Sequence, residues 1–167
     1  MKKTRTKIIA SVLLLVAVML ITGIAWAKAT KTPVTGTTEV LPTGNLEREW
    51  IDDNGIWHIR GASSKLVFSG DLVGEGTAVV NLNLDMLTGN GEESGHSISQ
   101  LSWGGLSGTF EGSFSVTYTA GVGDGHGVYH GTGDFAGMKL MEDFTVYLLA
   151  DPIFVVFDGI ILDPHGE

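Results

Sequence analysis

Cysteine is absent from this 167-residue chain, and its absence removes a block of chemistry at once. Without a thiol there is no thiolate nucleophile, no iron–sulfur cluster and no cysteine-based zinc site. Disulfides are excluded too, although a chain of this length can bury a sufficient core without them. Helical periodicity is missing after residue 27, and neither a Gly-x-Ser-x-Gly elbow nor a Walker A pattern occurs. Positive charge is scarce: ten Lys and Arg stand against 19 Asp and Glu. Four of the ten (Lys2, Lys3, Arg5, Lys7) lie at the very start, so residues 28–167 carry six cations against all 19 acids, a net charge of −13. Nucleic acid demands a basic surface, so it is not an expected partner. Anionic lipid head groups are disfavoured for the same reason. The acidic balance reads as a surface kept soluble by its own repulsion.

One long apolar run exists. The basic stretch Met1–Lys7 precedes the uncharged Ile8–Ala27, which ends in the small-x-small pattern Ala25-Trp26-Ala27 of an export cleavage site. The run is longer than the roughly 7–15 residues of a secretory core, and just long enough to span a bilayer. Residues 1–27 are therefore expected to form a hydrophobic export helix, either a cleaved signal peptide or a retained N-terminal membrane anchor. Both outcomes leave the basic flank inside and the rest of the chain outside, secreted or on the outer face of the cell membrane. Membrane contact is expected through residues 1–27 alone, if they are uncleaved. Residues 28–45 (KATKTPVTGTTEVLPTGN) read as a flexible linker, with room for a short edge strand at Thr37–Leu41.

From residue 46 the sequence reads as strand after strand. Leu46–Ile51 and Ile56–Arg60 flank Asp52-Asp53-Asn54-Gly55, and Asn-Gly predicts a type I′ hairpin turn. Ser64–Ser69 reads as a third strand. Gly76–Thr88 alternates, with Ala78, Val80, Leu82, Leu84 and Met86 on one face. His96–Trp103 follows. Thr109–Thr119 alternates best, placing Phe110, Gly112, Phe114, Val116 and Tyr118 on one side. His126–Gly131, Lys139–Leu149 and Ile153–Leu162 complete the set. About nine strands joined by Gly, Asp and Asn turns predict an all-β domain over residues 46–163. A sandwich and a closed barrel both fit. Long strands in sequential order favour a single antiparallel up-and-down β-barrel of about eight strands, which also removes exposed edges. The last strand, Ile153–Leu162, is apolar on both faces, which predicts cover on both sides, from the linker or from another subunit in a homo-oligomer.

The segment Gly127-Val-Tyr-His-Gly-Thr-Gly-Asp-Phe-Ala-Gly-Met-Lys-Leu140 resembles the Gly-(Thr/Ser)-Gly-x-(Phe/Leu)-x-Gly segment of the allene oxide cyclase and dirigent barrels. Gly55–Gly61, Leu84–Gly91 and Gly108–Phe114 support the resemblance, which spans residues 46–150. It implies an eight-stranded antiparallel barrel whose lumen takes an apolar small molecule. The cyclases' catalytic set does not carry over: their first-strand Glu-x-Asn pair is replaced here by Glu47-Arg48-Glu49, and their pocket cysteine is missing. The resemblance thus implies the fold without the activity. Read on their own terms, Gly131 and Gly133 fit a sharp chain reversal, Gly137 fits a positive φ, and Phe135 fits a plug for the barrel end.

Trp50, Trp57, Trp103, Phe110, Phe114 and Tyr118 are the large side chains expected to face inward, either as packed core or as the lining of a ligand lumen. His126 and His130 are poor candidates for one metal ion, because four residues along a strand separate them by about 13 Å. His58 and Arg60 are expected to face water opposite Trp57 and Ile59 and to pair with Glu47 or Glu49. The acidic runs at Asp52–Asn54 and Asp124–His126 lack EF-hand spacing and fit turn chemistry. No metal or cofactor is expected. Three functions remain open: non-catalytic binding of an apolar small molecule or a partner, a structural surface domain with a filled barrel, and an isomerase or cyclase acting by confinement.

Overall fold

The alternation in the sequence becomes nine strands in a computed structural model, which describes residues 29–164 and 166. The expected export segment, residues 1–27, lies outside the described residues. In chain order the strands are β1 (Thr30–Pro42), β2 (Arg48–Ile51), β3 (Ile56–Gly70), β4 (Val73–Asp85), β5 (Gly91–Trp103), β6 (Leu106–Thr119), β7 (Val122–Gly133), β8 (Lys139–Tyr147) and β9 (Ile153–Asp163). Their order in the sheet is β1-β9-β8-β7-β6-β5-β4-β3-β2, and a further pairing of β1 with β3 closes it. The result is an antiparallel barrel of eight strands with β2 as an extra.

The stretch expected as a linker supplies the closing strand. β1 pairs with β9 from Thr30↔Asp163 to Val40↔Ile153, and with β3 from Gly36↔Gly70 to Pro42↔Ser64. Its inward positions include Val34, Gly36, Thr38 and Val40, too few of them apolar for alternation to show. Thr is nonetheless a good strand former, and Gly36 leaves room for the Phe157 ring, whose Cζ lies 2.7 Å from where a Cβ would sit. Pro33 is accommodated because β3 does not flank β1 before Gly36.

The expected strands Ile56–Arg60 and Ser64–Ser69 are halves of one strand, β3. Between them the register slips: Ile59 pairs with Leu82 and Ala62 with Val80, so Arg60 and Gly61 together face Asn81. Gly61 takes φ 65° at this bulge, and its N–H donates to Asn81 Oδ1 at 3.1 Å. One extra residue reverses which side chains point inward. Trp57 and Ile59 line the interior before the bulge, Ala62, Ser64, Leu66 and Phe68 after it. The bulge is also where β3 changes partner along one edge, from β2 to β1.

The hairpin between β2 and β3 is not type I′. Positive φ occurs at Gly55 (80°) but not at Asn54. Asp52 Oδ1 accepts from the N–H groups of Asn54 (2.9 Å) and Ile56 (3.0 Å), and Gly55 N–H donates to the Asp52 carbonyl. That is a type I turn followed by a left-handed glycine, the usual form of a slightly longer hairpin loop.

One end of the barrel is solid. Gly131-Thr132-Gly133-Asp134-Phe135-Ala136-Gly137 turns back on itself, with Gly133 at φ 68° and Gly137 at φ 86°. Asp134 Oδ2 accepts from Ser107 N–H at 3.0 Å and Gly131 N–H donates to the Met138 carbonyl at 2.9 Å. The turn drives Phe135 into the barrel, where it is fully buried and stacks on Phe110 with ring centroids 4.7 Å apart. Leu72, Leu101, Met138 and Ile161 pack in the same cluster.

Among the described residues, β9 is not covered on both sides. Phe157 and Ile161 are buried inward, whereas Val156 and Ile160 are exposed on the outer wall and Phe154 stacks on Tyr147. β1 meets β9 edge to edge rather than lying over its outer face.

Phe135→Ala is expected to lower the free energy of unfolding by about 3–5 kcal/mol, since it removes a stacked ring and leaves a cavity. Urea denaturation followed by far-UV circular dichroism measures it. A loss below about 1 kcal/mol would mean that the plug is not part of the core.

Candidate functional site

Above the plug the barrel is hollow. A cavity of about 360 Å³ lies inside it, walled mainly by apolar side chains. Leu101, Phe110, Leu140 and Phe157 floor it, and Pro42, Leu46, Glu49, Trp57, Leu148 and Ile153 border its other end.

Glycine explains the space. The inward row of β7 runs Gly123, Gly125, Gly127, Tyr129, Gly131, with glycine everywhere but one place. Large rings lie flat against that bare wall. A Cβ on Gly125 would collide with the Phe144 ring and one on Gly123 with Tyr118, whose Cε1 lies 2.7 Å away. On β5, Gly95 performs the same service for Phe114, whose Cε1 lies 2.8 Å from the Cβ position.

The six aromatic residues expected inward divide by position. Phe110, Phe114 and Tyr118 line the cavity. Trp57 lines its border, with Nε1 donating to Glu49 Oε1 at 2.8 Å. Trp103 packs on the plugged end without reaching the cavity. Trp50 is outside: it sits opposite His58 in the ladder, stacks on its ring at 4.6 Å, and lies beneath the Arg48 and Arg60 guanidinium groups at 4.3 and 5.3 Å. Because Trp57 and Ile59 point inward, His58 and everything paired beside it must point outward.

His58 and Arg60 do share that outer face, but not with the expected partners. His58 contacts Asn83 Oδ1 (2.7 Å) and Asp52 Oδ2 (3.3 Å), and Arg60 donates to the Leu82 carbonyl and to Asn83 Oδ1. His126 and His130 both lie on β7, on its outer face. His126 Nδ1 meets Asp143 Oδ1 at 2.9 Å, and His130 is paired in register with Glu111 and Lys139.

Two carboxyl groups inside the cavity were not anticipated. Glu93 on β5 is desolvated, which raises its pKa, and its Oε2 accepts from the Tyr118 hydroxyl at 2.8 Å. Burial and the neighbouring Glu93 likewise raise the Tyr118 pKa. Glu142 on β8 is only 6% exposed, and its Oε1 is buried without a hydrogen-bond partner. Its ladder neighbours are Gly127 and Gly159, and the Tyr129 ring lies over Gly127. Desolvation pushes its pKa up to about 7. Burial raises the Tyr129 pKa, as does the nearby Glu142, while Ser97 hydrogen-bonds to the phenol and opposes the rise. A buried acceptor without a donor costs about 1–3 kcal/mol, so Glu142 is an unexplained expense in a wall that is otherwise apolar. Strand parity could have found both acids. Glu93 alternates with Gly91, Gly95 and Ser97, and Glu142 with Leu140, Phe144 and Val146.

Glu142 holds its proton more tightly in the folded chain than at its usual value of 4.5. Its contribution to stability is therefore complete below that pH and is lost as the pH rises to about 7, a change on the order of 3 kcal/mol. Glu93 shifts in the same direction and adds to the slope. Glu142→Gln is expected to flatten the decline without abolishing it. Urea unfolding at about pH 5 and about pH 8 checks this, and an unchanged slope would show that Glu142 is not desolvated.

Comparisons with known proteins reach the fold and stop there. No protein-family model matches the chain, and no curated protein does. Among solved structures, the chain is similar to a protein of unknown function of the DUF3224 family from Shewanella oneidensis MR-1, with TM-score 0.58 and 14% identity over 82% of this chain and 99% of that one. At that identity the likeness is one of architecture: a β-barrel shared with a protein whose function is itself unknown.

Proposed function

We propose that the chain is an exported β-barrel that binds an apolar small molecule in its lumen and releases it unchanged. The observation that carries this reading is the cavity of about 360 Å³, held open by inward glycines where a solid barrel would have side chains. That volume falls within the roughly 300–1,000 Å³ of small-molecule sites, and an apolar wall with few polar groups is their usual composition. The export pattern of residues 1–27 supports a role outside the cytoplasm. A structural domain with a filled barrel fits less well, because this interior is not filled. The resemblance to the allene oxide cyclase and dirigent barrels adds a precedent for an apolar ligand in such a lumen.

A second reading, an isomerase or cyclase acting by confinement, draws on Glu142. A carboxyl group titrating at about 7 in an apolar cavity can give or take a proton at neutral pH. The two readings part on the fate of the bound molecule, recovered unchanged in the first and rearranged in the second.

The neutral fluorophore N-phenyl-1-naphthylamine tests the first reading. It is expected to bind one molecule per chain with a blue-shifted, enhanced emission. Ala78→Phe, which puts a ring into the cavity from β4, is expected to weaken binding at least about tenfold while leaving the far-UV spectrum unchanged. Absence of saturable binding by the parent chain would sink the proposal.

A further inference from the structure

We propose that the lumen selects an apolar molecule carrying one basic nitrogen, and that Glu142 is the counter-charge which holds that nitrogen. The inference rests on the reading of the lumen as a ligand site, and it names the chemistry of the ligand.

Three observations converge. The first is the unpartnered Oε1 of Glu142, a residue of the cavity wall. The other polar groups nearby are already engaged: the Tyr118 hydroxyl donates to Glu93, and Ser97 hydrogen-bonds to Tyr129. The polar group without a partner is thus an acceptor, and it calls for a donor on the ligand.

The second is the sign of the charges. Glu49, Glu93 and Glu142 line the cavity, and no lysine, arginine or histidine does among the described residues. An anionic head group, such as that of a fatty acid, would find three carboxyl groups and no cation. An ammonium group would find a counter-charge in a site with little competing water, where a charge-assisted hydrogen bond is about twice as strong as a neutral one.

The third is geometry. Glu142 stands between Gly127, which the Tyr129 ring covers, and Gly159, where the ladder position beside it carries no side chain. The cavity of about 360 Å³ is of the size that takes small molecules.

The proton balance gives the pattern a pH signature. An alkylamine reaches the site protonated, as a lysine side chain would be. If Glu142 is ionised, the ammonium binds it directly. If Glu142 is protonated, its proton must leave to solvent on binding, so affinity falls by up to tenfold per pH unit below its titration. The titratable groups that share the cavity with Glu142 are Glu93 on β5, Tyr118 on β6, Tyr129 on β7 and the bordering Glu49 on β2. The cavity walls from β1, β3, β4 and β9 contribute none. Glu93 is held by Tyr118, which leaves Glu142 as the responsive acid.

The test is displacement of N-phenyl-1-naphthylamine from the full chain by octylamine, octanol and octanoate, at about pH 6 and about pH 8. At the higher pH, octylamine is expected to compete about tenfold better than octanol, the gap between a charge-assisted and a neutral hydrogen bond. Octanoate is expected to compete worst. The advantage of octylamine should shrink at the lower pH while octanol is unaffected. Glu142→Gln should lose the amine preference and keep the fluorophore and octanol, and Glu93→Gln should keep the preference. Octanol matching octylamine in a chain that still binds the fluorophore overturns this inference and leaves the lumen reading standing, as does a preference that survives in Glu142→Gln. Failure of the parent chain to bind the fluorophore overturns both. Should Glu142→Gln also lose the fluorophore, the octylamine-to-octanol ratio of the parent chain at the two pH values decides.

Discussion

An eight-stranded barrel encloses just enough room for its own side chains to fill, so a lumen survives only where inward-facing residues are small. Every other feature of this molecule follows from how that room is divided. Near the Phe135 plug, rings and branched side chains take all of it. Further along the axis, β7 presents glycine at Gly123, Gly125 and Gly127, and the rings of Tyr118, Phe144 and Tyr129 settle against the bare backbone. The aromatic side chains are thus not evidence of a filled core. They are laid along the wall, and the volume they would have occupied remains vacant.

Much of the architecture could be read from the sequence, and the errors have physical causes. Alternation was plain where apolar and polar residues exchange cleanly, as in β6, whose inward face Phe110–Tyr118 is as read. It failed in β1, where Gly36 and Thr38 separate the inward Val34 and Val40 and weaken the apolar signal. It also failed across Gly61, where the bulge reverses parity and makes one long strand look like two. The expected count of about nine strands agrees with the structure only because the sequence pattern splits β3 in two and reads β1 as a linker. The Asn54-Gly55 turn shows a similar limit. The dipeptide permits type I′, but the Asp52 carboxylate accepts two backbone N–H groups and draws the loop into a different form.

The site was less legible than the fold. Phe110, Phe114 and Tyr118 were found by parity, and Trp57 lies at the cavity border. Trp50 departs from the inward expectation because size alone does not bury a ring: a tryptophan between two arginines and a histidine is stable on an outer wall. The two acids are hidden in the sequence because a carboxylate on an apolar face looks like noise in an alternating pattern. Yet the same parity that places Leu140 and Phe144 inward places Glu142 between them. The cost of burying that group is what singles it out, and burial cannot be read before the barrel is closed.

The change of partner along β3 has a consequence for the wall itself. Toward the plug, β1 bridges β3 and β9 and the ladder runs unbroken around the circumference. Toward the other end, β3 pairs with β2, and β3 is the strand neighbour that β2 has among the described residues. The cylinder therefore carries a longitudinal seam at that end, bridged by the segment Thr43–Glu47, which is tied to β3 through Thr43, Glu47 and Ser63 backbone bonds. A closed ladder opens only by breaking many hydrogen bonds together, whereas a seam yields locally. Rigidity in this barrel is graded along its axis, greatest where it is solid and least where the cavity meets the outside.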